Sequence, residues 1–320
     1  MLELRALEKS DILEVVEGWN QSLIYDQVTQ ERFGKIILDD PNYEQAGNVV
    51  ALDQGKIVGF VSAVAPGGIA NDDGKGRPLE QDSGHIKGLF VLNEYWDADV
   101  GEKLLDRAEK YVNSKGKSSI KVVVYLGGRY FFPGIDLRYE RLLDLFADNG
   151  YERLRDWGEI DVIDDLSVNL TNFEPTAYHI DARRRVAKVG VIIAEYHSSM
   201  LEKMRTFAAE LKYWHWFPEG WEQEFGERGY NLVALKEEAI VGWASYWPQY
   251  RAFGPVGVLE TYRGNGIGTC LLLESMLRMK ALGVPEMIAG WAETDFYLRN
   301  GWEICRQYAP FQKALRPEES

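Results

Sequence analysis

The chain has 320 residues, a length that suggests about two folded domains rather than one large core. Hydrophobic residues make up 46 % and charged residues 27 %, close to globular averages, which argues against disordered, collagen-like and coiled-coil classes. Acidic residues outnumber basic ones 50 to 36, so with a net charge of -14 neither nucleic acid nor an anionic membrane surface is expected as the main partner.

No apolar run reaches the ~18–20 residues of a membrane span, and the first residues lack the layout of a signal peptide, so a cytoplasmic location is expected. Cys270 and Cys305 cannot build a disulfide framework, and with four scattered histidines no metal site is expected.

In chain order, the first strong pattern is a β-hairpin over residues 48–63 (NVVALDQGKIVGFVSA) with a glycine, Gly59, in its second arm. Residues 91–101 (VLNEYWDADVG) lead into a leucine pair at helical spacing, and residues 146–152 read FADNGYE. All three recur. Residues 231–246 (NLVALKEEAIVGWASY) match the first hairpin at eight of sixteen positions, residues 258–268 (VLETYRGNGIG) align with the second segment, and residues 297–303 (YLRNGWE) with the third. The chain is therefore a tandem of one fold, with its seam near residues 169–178 and halves 1–172 and 173–320.

The second half predicts a strand over 186–196, a helix over 200–211, an aromatic loop, the hairpin, and a strand over 255–259. A glycine loop, a helix over 269–282, a strand over 287–291 and a helix over 293–300 follow. This is a mixed α+β layer architecture, a central sheet flanked by helices in each half.

The run Arg263-Gly264-Asn265-Gly266-Ile267-Gly268 stands between a strand and a helix, where main-chain N–H groups and the positive helix end can cradle a phosphate. A tight turn that needs glycine only for positive φ fits as well. A Walker loop needs Gly-Lys-Ser/Thr where this one ends Gly-Thr-Cys, and a dinucleotide fingerprint needs a glycine at Thr269.

The order of strand, Arg-Gly-Asn-Gly-Ile-Gly, leucine-rich helix, strand, then Phe296-Tyr297-Leu298-Arg299-Asn300-Gly301-Trp302 resembles the GNAT superfamily of acyl-CoA-dependent N-acetyltransferases. The loop is similar to that family's pyrophosphate motif and the aromatic run to its following motif. With the weaker first copy, the resemblance covers most of the chain and implies a tandem GNAT fold that uses acetyl-CoA as cosubstrate. Two positions depart from the family pattern: Gly290 stands where many members carry asparagine, and Glu260 where proline is usual.

The resemblance implies transfer of acetyl to the primary amine of a small molecule or short peptide by direct attack, in a monomer or homodimer with no nucleic-acid or membrane partner. Val258, Arg263, Gly264, Asn265, Gly266, Ile267, Gly268 and Thr269 would hold the cosubstrate. A Val258 N–H left free by a splayed strand would serve the thioester oxygen. Tyr297 would protonate the departing thiolate, the two groups having ordinary pKa values of about 10 and ~8.5. An amine of pKa near 10.4 is neutral about once in 2,500 molecules at pH 7, a penalty of ~4.6 kcal/mol, so a base is needed. Glu260 is taken as that base; Glu293, Asp295 and His215 are the other candidates. The same features allow a protein lysine or N-terminal acetyltransferase, or a non-catalytic CoA-binding scaffold in which Tyr297 only packs.

In the first copy the loop reads Trp96-Asp97-Ala98-Asp99-Val100-Gly101, and Phe146 stands in place of Tyr297. A carboxylate ~4 Å from a phosphate repels it by about 1 kcal/mol in water and ~4 at a partly buried site, so the first half is expected not to turn over acetyl-CoA. The aromatic segment 213–221, with Trp243, Tyr246 and Trp247, reads either as an acceptor wall or as a packed interface between the halves. Both cysteines are expected to be structural and buried.

Overall fold

The computed structural model describes residues 2–67, 82–122, 131–154, 162–211, 216–217, 221–223, 225 and 229–315. In the first repeat β1 (Leu2–Ala6) and helices α1 (Ile12–Ser22) and α2 (Gln30–Phe33) lead to a hairpin of β2 (Asn48–Asp53) and β3 (Lys56–Val64). Strand β4 (Ser83–Val91), α3 (Val100–Ser114), β5 (Ser119–Val122), β6 (Ile135–Asp136), α4 (Glu140–Asp148), β7 (Glu152–Arg153) and β8 (Ile163–Asn169) follow. The second repeat comprises α5 (Ala177–Lys188), β9 (Val191–Glu195), α6 (Leu201–Leu211), the hairpin β10 (Tyr230–Lys236) and β11 (Ala239–Trp247), and β12 (Ala252–Val258). It ends with α7 (Ile267–Ala281), β13 (Glu286–Ala289), α8 (Thr294–Arg299), β14 (Glu303–Ala309) and β15 (Phe311–Ala314). Among the described residues, no helix is long and apolar enough to cross a membrane.

The repeat read from sequence is repeated in backbone detail. Both hairpins turn at a left-handed residue, Gln54 at φ 51° and Glu237 at φ 55°. Both carry a register shift at matching places, Ala51/Leu52 and Ala234/Leu235. The paired glycines have a packing reason: a Cβ on Gly59 would meet Val100 and Leu104 of α3 at 3.0 and 2.9 Å, and one on Gly242 would meet Ile267 and Leu271 of α7 at 3.0 and 3.3 Å. Each glycine lets the helix after the loop lie close on the sheet.

The chain folds as two units, Met1–Ile163 with Gln307–Ser320, and Asp164–Arg306. The units cross the seam between the repeats read from sequence, 1–172 and 173–320, because each repeat gives its last strand to the other unit. The first sheet runs β1-β2-β3-β4-β5-β15-β7, with β15 antiparallel to both neighbours. The second runs β6-β14-β8-β13-β12-β11-β10-β9, with β8 antiparallel to β13 from Asn169↔Glu286 to Leu166↔Ala289. Counted from β1 in the first sheet and from β9 in the second, the sixth place is thus filled by the strand that ends the other repeat. A correction concerns residues 186–196, read as one strand. Thr176 and His179 form a capping box that starts α5, and Val186 is a buried residue of that helix, so the strand begins only at Val191.

The first core gathers Trp19, Phe33, Phe60, Phe90 and Phe146; the second gathers Phe207, Leu271, Leu272, Met276 and Met287. The described aromatics of the loop after α6 join the second core: Phe217 lies 4.8 Å and Phe225 5.7 Å from the Trp243 ring, and Trp216 6.4 Å from it. These packing contacts lie inside one unit; the rest of segment 213–221, including His215, lies outside the described residues apart from Trp221.

Candidate active site

Strands β12 and β13 pair in parallel at Ala252 and Ile288, and no further pair follows along β12 among the described residues. The sheet forks there. Leu259 N–H donates to the Val241 carbonyl at 3.0 Å, and Val258 lies opposite Gly242. Because antiparallel neighbours alternate, the Val258 N–H faces away from β11, into the fork. Arg263 closes back on the same residue, its Nε donating to the Val258 carbonyl at 3.2 Å.

A short turn, Glu260–Tyr262, leads from the fork to the bend, with Glu260 exposed. Asn265 braces the bend through its Nδ2, which donates to the Tyr262 carbonyl at 3.1 Å. Gly264 at φ 80° and Gly266 at φ 83° are both left-handed, and Gly266 is the N-cap of α7. No side chain caps that helix, so its first-turn N–H groups remain available to an anion. Ile267 and Thr269 are buried, so their side chains face the core and only their main chain can serve the bend. Helix α5 supplies what the motif did not show: Arg185 Nη1 donates to the Gly264 carbonyl at 2.9 Å, and a Cβ on Gly266 would meet Ala182 at 3.0 Å. The basic run Arg183-Arg184-Arg185 was the available signal.

The start of α7, the end of β12 and α8 converge. A Cβ on Gly268 would lie 3.5 Å from Phe296 and 3.8 Å from Val258. Tyr297 is 5 % exposed, with its ring 6.2 Å from that of Phe253, one residue past the fork, and 5.0 Å from Trp302. Burial pushes its hydroxyl well above the ordinary tyrosine range, so it is a hydrogen-bond donor throughout neutral pH and its acidity does not match a thiol's. Glu293 is the N-cap of α8 and Asp295 sits in its first turn, both exposed. The loop before α8 is pinned by β8: Asp165 Oδ1 accepts from Trp291 N–H at 3.2 Å, and Thr294 Oγ1 donates to Asp164 Oδ2 at 2.5 Å.

The cysteines part company. Cys270 is buried and its thiol is pushed up to about 11 by burial, which leaves no useful thiolate at neutral pH. Cys305, expected to be buried, is exposed together with its neighbours Glu303 and Ile304 at the start of β14.

The first unit repeats this geometry with different chemistry. Asp99 is left-handed at φ 53° and is the N-cap of α3, the place Gly266 holds before α7. Asp97 and Asp99 are exposed on that bend. Phe146, in Tyr297's place, packs on Tyr151 and Phe311. Strands β4 and β5 pair from Ser83 to His85 and then part, and a pocket opens between them, lined by Lys87, Val122 and Phe146.

Two family models match, one described as the acetyltransferase (GNAT) family over residues 10–127 and one as an acetyltransferase (GNAT) domain over residues 227–304. The chain belongs to the GNAT acetyltransferase family. It is a tandem GNAT protein, and solved structures carry the same architecture. One is a GCN5-related glucosamine N-acetyltransferase region of a fungal multi-domain GH3 β-N-acetylglucosaminidase, with TM-score 0.71 and 19 % identity over 98 % of this chain. This chain covers 38 % of that protein. Another is a GCN5-related N-acetyltransferase from Sphaerobacter thermophilus, with TM-score 0.66 and 15 % identity over 99 % of this chain and 96 % of that one. A third is a tandem GNAT protein from the clavulanic acid biosynthesis pathway, with TM-score 0.62 and 15 % identity over the full length of both. At these identities the likeness is one of fold. No curated protein sequence matches the chain.

Proposed function

We propose that this GNAT protein transfers acetyl from acetyl-CoA to the primary amine of a small molecule or short peptide, and that the second unit does so. The observation that carries this reading is the contrast between two bends of one backbone geometry. The second has glycine at its left-handed cap, Arg263 and Arg185 beside it and an uncapped helix; the first has Asp97 and Asp99. The donor set of the second fits a diphosphate, and that of the first repels one.

Bound acetyl-CoA supplies the activated acyl group. The chain's own parts hold and orient it: N–H groups of Gly266, Ile267 and Gly268 and the arginines receive phosphate, and Val258 N–H points into the fork. Tyr297 donates a hydrogen bond toward the leaving sulfur from a site closed to water by Phe253, Phe296 and Trp302. Glu260, exposed at the mouth, takes the proton from the amine. The fungal neighbour's glucosamine is an acceptor of this class. A scaffold reading is favoured by one observation, the burial of Tyr297 among three rings.

Calorimetric titration with acetyl-CoA is expected to give one site per chain, and Gly266→Glu to abolish it. The same protein, given acetyl-CoA and a panel of small amines including amino sugars, is expected to release thiol faster than without amine. Two equal sites, or binding that survives Gly266→Glu, would overturn the assignment to the second unit. Binding without amine-dependent release would leave the scaffold.

A further inference from the structure

We infer that His179, buried on α5, is a positioning residue for the second unit: its ring bonds Asn300 at the end of α8 and so fixes Tyr297 to the helix that braces the phosphate bend. The inference rests on the reading of that unit as the working one, but the bond itself can be tested without it.

The state of the ring follows from the helix cap. Thr176 N–H donates to His179 Nδ1 at 3.0 Å. A main-chain amide can only donate, so Nδ1 is bare and the ring's single proton sits on Nε2. The ring is fully buried, with Phe173 edge-on at 5.6 Å. Burial holds it below the ordinary histidine pKa, against a bond from Asn300 that raises it, so the ring is neutral at neutral pH.

The Asn300 side chain faces that ring, and Asn300 is the C-cap of α8. His179 Nε2 and Asn300 Oδ1 are both buried and have no other partner among the described residues. The amide is already oriented, because Asn300 Nδ2 donates to the Phe296 carbonyl at 2.7 Å and leaves Oδ1 for the ring. A buried donor and a buried acceptor, each otherwise unmet, both escape the cost of desolvation through one bond. Asn300 N–H also donates to the Tyr297 carbonyl at 2.9 Å. Asn300 thus holds the two aromatic residues of α8, and His179 holds Asn300.

The connection ends at the bend. His179, Ala182 and Val186 form the buried face of α5. One turn past His179, Ala182 stands where a Cβ on Gly266 would meet it, and Arg185 reaches the Gly264 carbonyl. Arg183 joins the same helix to Glu274 of α7 at 2.6 Å. α5 therefore touches the phosphate bend and the end of α8 at once, and sets one against the other. Leucine at position 179 would fill the space but leave α8 without its polar tie to α5.

The test uses the full chain. Nitrogen NMR of the histidine rings is expected to show His179 neutral at neutral pH with its proton on Nε2; a proton on Nδ1, or a charged ring, would overturn the inference. His179→Leu is expected to speed hydrogen exchange about five-fold in residues 296–302 as well as in 176–182. His179→Gln, whose amide can accept from Thr176 and donate to Asn300, is expected to restore both segments. Faster exchange confined to 176–182 would make His179 a helix cap and nothing more. With acetyl-CoA and an amine that releases thiol, His179→Leu is expected to lower kcat about ten-fold with acetyl-CoA affinity within about two-fold, and His179→Gln to recover kcat. A kcat equally low in both variants would overturn the positioning role. If no amine releases thiol in the unaltered chain, it is the proposed reaction that fails, and the exchange rates still decide the bond. If His179→Leu does not fold, the tautomer of the unaltered ring and the exchange of His179→Gln decide.

Discussion

Tyr297 faces two demands that pull apart. Its ring fills a core position, and its hydroxyl is the group placed to meet a leaving thiolate. Burial raises its pKa, so full transfer to a thiolate of ordinary pKa ~8.5 runs uphill, and its useful contribution is a hydrogen bond that strengthens as charge builds on sulfur. Tyr297→Phe keeps the ring contacts with Phe253 and Trp302 and removes that donor. Turnover is expected to fall about 10²-fold with little change in acetyl-CoA affinity or melting temperature, a fall of the size typical of losing one positioned hydrogen-bond donor. Unchanged turnover would reduce Tyr297 to packing. The sequence carried this residue and the glycines because their chemistry is local: a left-handed cap before a helix needs Gly266 whatever lies around it. It did not carry Arg185, Ala182 or Asp165, which reach the site from elements far away in the chain.

At the level of elements, the fork and the bend are consequences of strand pairing. β13 is held by β8 along four residues while touching β12 at one register pair, so the opening beside Val258 depends on a strand from the other repeat. That strand also sets the loop before α8. Asp165 accepts the Trp291 N–H, Trp291 itself is left-handed at φ 54°, and Gly290 is close enough that an added Cβ would lie 3.1 Å from Asp165. Asp165→Ala takes the carboxylate acceptor from a half-buried N–H, a cost of about 1 kcal/mol. It is expected to lower stability in urea by that order and to reduce turnover by loosening α8 and Tyr297. Asp165→Asn, which keeps an oxygen acceptor, is expected to restore most of both. Turnover unaffected by Asp165→Ala would separate the loop from catalysis. Helices α6, α7 and α8, both hairpins and β12 were legible from period and punctuation. α5 was misjudged because the valines on either side of its end, Val186, Val189 and Val191, read as one β-branched run, although Gly190, left-handed at φ 70°, marks where the helix stops.

The exchange of final strands changes what the whole molecule can be cut into. Similarity between repeats locates a seam near residues 169–178, yet similarity says nothing about which sheet a strand completes; that is decided by non-local hydrogen bonds. β15 lies between β5 and β7, bonded on both edges, with Phe311 buried in the first core against Phe146. Cutting between residues 172 and 173 would therefore take β8 from the second unit and β15 from the first. Each fragment would keep a foreign strand and lack one from the interior of its own sheet, exposing unpaired strand edges beside the gap. Fragments 1–172 and 173–320 are each expected to aggregate when produced alone and to recover a cooperative melt when produced together. Cutting the chain after Ile163 instead leaves β8 with the second unit, and residues 164–320 are expected to be more soluble than 173–320. Cooperative, monomeric folding of 1–172 alone, shown by sedimentation and thermal melting, would mean that β15 is dispensable and that the exchange does not hold the molecule together.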